Sequence, residues 1–155
     1  MRIDGAYEIA AKLYDDLPLL GEEIQGTWNV SFAQDFHITN DRHLFNREND
    51  GLPLYEGKMI HQFDANYREA QYWVNEAEGR QSLGNRHYAE WYRTYRFAFR
   101  EIARSTDSRT CISAILPPNA FATITLWTGI THSVSADLYL VSVLNSFCFD
   151  FLTRS

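Results

Sequence analysis

The chain is organised around the stretch between positions 93 and 118, where apolar and polar residues alternate. From Tyr95 the odd positions are Tyr95, Phe97 and Phe99, and the even positions are Arg96, Ala98, Arg100, Ile102 and Arg104. A strand sends successive side chains to opposite faces, so this spacing predicts an aromatic face and a face of three arginines. Ser105, Thr106, Asp107 and Ser108 have turn chemistry. Residues 110–116 form a second apolar run, stopped by Pro117 and Pro118. The stretch predicts an antiparallel hairpin over residues 93–116 with Tyr95, Phe97 and Phe99 buried. Its arginine face reads either as a solvated surface or as cations presented to a ligand.

The remaining pattern completes an α+β chain: a mixed, mainly antiparallel sheet with a long β-hairpin and a C-terminal helix. Trp28, Val30, Phe32, Phe36 and Ile38 alternate with Asn29, Ser31, Asp35, His37 and Thr39, which predicts a strand over 28–39 broken by Asn40 and Asp41. Residues 42–51 are polar and end in the turn signal Asn49-Asp50-Gly51. A second strand is expected over 54–64, with apolar residues on both faces; Gly57 inside it marks a bulge or a close approach. In the polar stretch 65–90, Tyr72-Trp73-Val74 reads as a short strand, 75–80 as helical and Gly84-Asn85 as a turn. Residues 121–127 form a further strand. Asp4 can cap a helix over 5–16, with Ile9 and Leu13 on one face beside Ala6 and Ala10, and Pro18 ends it. Residues 19–27 form an acidic connection. Ser135 can cap a helix over 136–153 with Leu138, Val141, Leu144, Cys148 and Phe151 in one stripe.

Composition narrows the class. A chain of 155 residues, 45% of them hydrophobic, can bury a real core as one domain. No run of about 20 apolar residues predicts a membrane span, and the acidic N-terminus lacks a signal-peptide core, so a cytoplasmic origin is expected. Cys111 and Cys148 sit in apolar stretches and read as buried free thiols without CxxC spacing. The net charge of −6 argues against a stand-alone electrostatic nucleic-acid binder. The charge is uneven, however: residues 86–109 hold six arginines against Glu90, Glu101 and Asp107. Arginine outnumbers lysine twelve to two, which suits bidentate or stacked contacts.

His37, Asp41 and His43, and likewise His61 and Asp64, lack a metal-ligand spacing, so no metal site is expected. No nucleophile elbow, zinc-protease motif, P-loop or dinucleotide fingerprint occurs. Leu116-Pro117-Pro118-Asn119 resembles the Asn/Asp-Pro-Pro-aromatic motif of amino-methylating DNA methyltransferases only superficially, because Leu116 stands where the polar residue is required. No catalytic residue is assigned, and no methyl transfer is expected from this chain alone.

Five segments in one order carry a family resemblance: WNVSFAQDFHITNDRHLF (28–45), LPLYEGKMIHQFD (52–64), QYWV (71–74), RFAFREIARSTDSRTCISAILPP (96–118) and LVSVLNSFCFDFLTRS (140–155). Together they resemble the region after the catalytic domain in large adenine-specific DNA methyltransferases of type II restriction-modification and related phage-defence systems. In that family the region contains the target-recognition domain. The resemblance implies a connector over 1–27 to a missing N-terminal catalytic domain and a partial target-recognition domain over 28–155. It also implies a parent enzyme that transfers methyl from S-adenosylmethionine to the N6 of a flipped adenine. The cofactor would belong to the parent and not to this chain.

On that reading Lys58, Arg96, Arg100, Arg104 and Arg109 are expected at phosphates, and Gln62, Asn66, Arg68 and Arg86 at base edges. Double-stranded DNA and the catalytic methyltransferase domain are the expected partners, with no membrane. The alternative is a protein-interaction module that packs on the methyltransferase domain or a partner subunit, which suits the aromatic load and the acidic first third.

Overall fold

The computed structural model describes residues 4–26, 28–103 and 107–154, the side chains of Asp4 and Ala6 excepted. The chain is α+β, as its pattern predicts, but its strands form two four-stranded sheets. In the first, β1 (Ser31–Ala33), β8 (Leu126–Ile130), β5 (Arg96–Arg100) and β6 (Ser113–Leu116) lie side by side, every pair antiparallel. In the second, the order is β2 (Phe45–Asn46), β4 (Trp73–Val74), β3 (Leu52–Tyr55) and β7 (Phe121–Ala122). Here only the β3–β7 pair is parallel.

The hairpin forms with Arg96 opposite Leu116 and Phe99 opposite Ser113. Its first strand is not an exposed one. β5 also pairs with β8, Phe97 facing Gly129 and Arg100 facing Leu126. The alternation holds, and both faces are covered. Phe97 and Phe99 point towards Val30, Leu140, Val141 and Leu144, under helix α3 (Val134–Leu144). Ala98, on the other face, packs with Tyr55, Met59, Ile60, Ala122 and Leu126 between the two sheets. A third cluster, Phe36, Phe45, Leu54, Val74, Leu83, Tyr92 and Phe121, lies between the second sheet and α2 (Glu76–Leu83). Gly129 is where the close β5–β8 packing requires glycine. A Cβ there would stand 2.5 Å from the Phe97 ring and 2.8 Å from Ser31 O.

Several expected elements are shorter than their pattern. The strand predicted over 28–39 is regular only at Ser31–Ala33, because Asn29 takes a positive φ of 46° and Asp35 and Phe36 both turn inward. The strand predicted over 54–64 ends at Tyr55 and passes into a 3-10 turn, Gly57–Met59. The strand predicted over 121–127 is two strands, β7 and β8, in different sheets. Asn75 is the cap of α2 and not its first residue, since its Oδ1 accepts from Ala77 N at 3.0 Å and Glu78 N at 3.3 Å.

The C-terminal helix is broken into α3 and α4 (Phe147–Arg154), bent by 57°. Ser133, two residues before the expected Ser135, caps α3 through Ala136 N at 3.2 Å. The break belongs to Asn145. Its side chain is buried against the edge of β6, with Oδ1 accepting from Ser113 N at 3.0 Å and Nδ2 donating to Ser113 O at 2.8 Å. The side chain thus replaces a strand neighbour at that edge. The expected stripe rotates accordingly: Ala136, Leu140, Val141 and Leu144 are buried, while Leu138, Cys148 and Phe151 are exposed. Helix α1 (Asp4–Asp16) forms as expected, and Tyr7, Ile9, Tyr14 and Leu17 remain exposed. The capping role expected of Asp4 rests on a side chain outside the described set. Among the described residues no single helix is long and apolar enough to cross a membrane.

Candidate functional site

Because the second sheet covers the arginine face of β5, its two described arginines have different fates. Arg96 is 0% exposed. Its Nη1 and Nη2 donate to the two carboxylate oxygens of Asp35 at 3.2 and 2.7 Å, and Nη2 also donates to Ala120 O at 2.9 Å. Arg96 therefore cannot meet a phosphate in this conformation, which corrects its expected role. The buried charge is held by a bidentate partner, as burial of a guanidinium requires. Tyr95 precedes the strand and is exposed, contrary to expectation, whereas Phe97 is fully buried and Phe99 partly so.

Arg100, at the far end of β5, reaches the rim of the inter-sheet layer. There it borders an open cleft of about 450 Å³, together with Gly57, Lys58, Tyr67, Arg68, Ile102, Asp107 and Thr125. Arg100 Nη2 donates to Ile60 O at 2.6 Å, and Nε is buried without a partner. Burial pulls the Arg100 pKa below the ordinary guanidinium value, with the Asp107 charge opposing that shift.

Lys58 enters from the 3-10 turn. Gly57 opens that turn by bringing its backbone against Thr125: its N–H donates to Thr125 Oγ1 at 2.8 Å, and a Cβ would lie 3.0 Å from Thr125 O. The glycine thus marks a close backbone approach and not a bulge. Lys58 Nζ pairs with Glu56 at 2.9 Å and donates to Gln71 at 2.7 Å. Arg68 N donates to Met59 O at 3.2 Å, which ties the Tyr67–Arg68 segment to the same turn. The Arg68 guanidinium lies 5.7 Å from the Tyr67 ring, and the His61 ring lies 4.9 Å from the same tyrosine. The cleft thus gathers one ammonium, two guanidinium groups, the Asp107 carboxylate and an aromatic ring, a cation-rich set suited to an anionic polymer with π faces.

The expected residues divide sharply. Lys58 and Arg100 from the phosphate set and Arg68 from the base set converge on this cleft. Asn66 is exposed, accepts from Tyr55 Oη at 3.4 Å, and lines a second cleft of about 460 Å³ that shares Arg68 with the first. Arg109 is committed elsewhere: its guanidinium lies 3.8 Å over the Phe147 ring and 3.7 Å from Asp150, so it fastens α4. Gln62 Nε2 donates to Asn145 O at 3.2 Å and is likewise structural. Arg86 is exposed beside Tyr88 and does not line the cleft. Arg104 lies outside the described residues, as do Ser105 and Thr106 of the expected turn.

Sequence reasoning missed Tyr67, whose place beside Arg68 was the available signal. It also missed Phe63, which the pattern put inside a strand. Phe63 has a φ of 63° and is 65% exposed. Left-handed backbone costs a non-glycine residue about 1 kcal/mol or more.

Other sequence features resolve into structure. His37 Nδ1 accepts from Thr39 N at 3.1 Å, and Asp41 Oδ2 accepts from His37 N at 2.6 Å, within one local turn. Among the described residues no group of three His, Cys, Asp or Glu side chains is placed to hold a metal ion. Leu116 is buried at the end of β6, and Asn119 turns the chain with a φ of 60°. Both cysteines are free; Cys111 is buried as expected, but Cys148 lies on the exposed side of α4. No protein-family model matches the chain, and no curated protein matches it.

Proposed function

We propose that this chain is a DNA target-recognition fragment of an adenine-N6 methyltransferase from a restriction-modification or phage-defence system. In this reading it seats the sugar-phosphate backbone in the Lys58–Arg68–Arg100 cleft. The observation that supports it is the convergence of three cations and Tyr67, against one carboxylate, Asp107, on one open cleft, in a chain whose net charge is −6. Local cations in an acidic chain favour a directed contact over general attraction. Methyl transfer would belong to a catalytic domain carrying S-adenosylmethionine. This chain would position duplex DNA for it.

The test is binding of the 155-residue chain to labelled duplex DNA by fluorescence anisotropy over a range of salt. Three phosphate contacts give a slope of log K against log[salt] of about −3. Absence of binding at about 50 mM salt would contradict the reading. The interaction-module alternative has its own support in and just after α1, where the large side chains Tyr7, Ile9, Tyr14 and Leu17 are exposed, as on surfaces that pack on another protein. On that alternative the chain would bind an isolated methyltransferase domain and not DNA.

A further inference from the structure

Between Ile60 and Ala65 the chain makes a tight turn. His61 N donates to Asp64 O at 2.7 Å, and Asp64 N donates to His61 O at 3.0 Å. Phe63 occupies the third position with a φ of 63°, where turn chemistry favours glycine or asparagine. The turn is locked from behind. Phe63 N donates to Ser113 O at 3.0 Å, the oxygen that also receives Asn145 Nδ2. Gln62 Nε2 holds Asn145 O, and Ala65 is buried. A rigid frame therefore directs a large aromatic side chain outward in a backbone conformation that glycine would adopt without strain. Burial does not compensate, since the side chain is 65% exposed. Unfavourable backbone held in place by its surroundings is characteristic of ligand-contacting positions.

The start of the turn contacts residues of the cationic cleft. Ile60 O, immediately before it, accepts from Arg100 Nη2 at 2.6 Å. His61 packs on Tyr67, which lines the cleft with Arg68. An exposed aromatic on a turn bonded to a track of cations has an arrangement suited to reading a nucleic acid by stacking, because every base offers a π face next to a phosphate.

We infer that Phe63 is a stacking wedge, placing its ring against an unstacked base of DNA whose backbone lies in the Lys58–Arg68–Arg100 cleft. This rests on the cleft reading above. It adds a contact to bases that the cations do not make, and a local opening of the duplex at the site of contact.

The experiment uses the 155-residue chain with oligonucleotides carrying 2-aminopurine, whose fluorescence rises on unstacking, and the variants Phe63→Gly and Phe63→Trp. The wild type and Phe63→Trp are expected to change the 2-aminopurine signal. Phe63→Gly is expected to lose that change and about tenfold in affinity while keeping the salt slope. Its melting temperature should stay within about 2 °C of wild type, because the turn geometry suits glycine. Salt-dependent binding with an unchanged signal in Phe63→Gly would overturn the wedge and leave the cleft reading standing. No salt-dependent binding by the wild type would overturn both. A fall of several degrees in the Phe63→Gly melting temperature would make the ring a structural element and also overturn the wedge.

Discussion

Arg96 of β5 and Asp35, two residues past β1, join the two sheets through one buried ion pair. The Nη2–Oδ2 distance is 2.7 Å and both side chains are almost completely withdrawn from solvent. Asp35 Oδ2 also accepts from Ala122 N at 2.9 Å, so the carboxylate ties β7 of the second sheet to β5 of the first. Arg96 Nη1 further donates to Thr128 Oγ1 at 3.4 Å, and that hydroxyl donates to Ala33 O at 3.0 Å. One guanidinium thereby connects β1, β5, β7 and β8.

Removing one partner leaves the other charge buried and unpaired, which typically costs about 3–5 kcal/mol. Asp35→Ala is therefore expected to destabilise the chain by about that amount in urea unfolding. Replacing both partners by Asp35→Leu with Arg96→Met removes the stranded charge and should regain part of the loss. It should remain below wild type because Ala122 N and Ala120 O lose their partners. A loss of less than about 1 kcal/mol in Asp35→Ala would show that the pair does not organise the fold.

Acid should loosen the α4 attachment through Asp150. Burial alone would raise the Asp150 pKa, but the Thr110 N–H and the Arg154 and Arg109 guanidinium groups together hold it below the ordinary carboxylate value. A depressed folded-state pKa stabilises above the unfolded pKa, and that contribution is lost as pH falls through the folded value. The stability difference between wild type and Asp150→Asn should be constant near neutrality and shrink as pH drops below about 4. Thermal melts from pH 7 downward check it. A difference independent of pH would place the stabilisation in neutral hydrogen bonding.

The two thiols should differ in reactivity. Burial, with a smaller contribution from the Asp150 charge, pushes the Cys111 thiol up to about 11, leaving on the order of a thousandth as thiolate at pH 8. Cys148 is exposed. With a disulfide reagent at pH 8, Cys148 should react promptly and Cys111 only on unfolding. The fast phase should vanish in Cys148→Ser; its persistence there would mean that Cys111 is accessible in the folded chain.

How far the sequence carried the fold depended on what lay beyond each strand. Alternation at 96–100 was legible because a strand has period two whatever covers it. Whether Arg96 faced water was not legible. That depends on the second sheet, assembled from two- to four-residue strands whose partners are distant in sequence. Asp35 looked like a polar position on a solvated face for the same reason. Each charge reads as exposed alone and is buried only because the other is opposite it. The helix break was hidden because Asn145 interrupts α3 by bonding to Ser113, a tertiary contact with no local signature. Within the candidate site, Lys58, Arg68 and Arg100 were legible as chemistry but not as neighbours. The turns at Gly57 and His61 bring them together.

The cleft is tested most directly by the salt dependence of DNA affinity in wild type and in Lys58→Ala with Arg68→Ala. Both side chains are exposed or partly so, and their removal leaves the Arg96–Asp35 pair intact. The account predicts weaker binding on all duplex sequences alike, with the slope of log K against log[salt] reduced by about two units. Unchanged affinity and slope in a folded double variant would contradict it and leave these cations as a solvated rim.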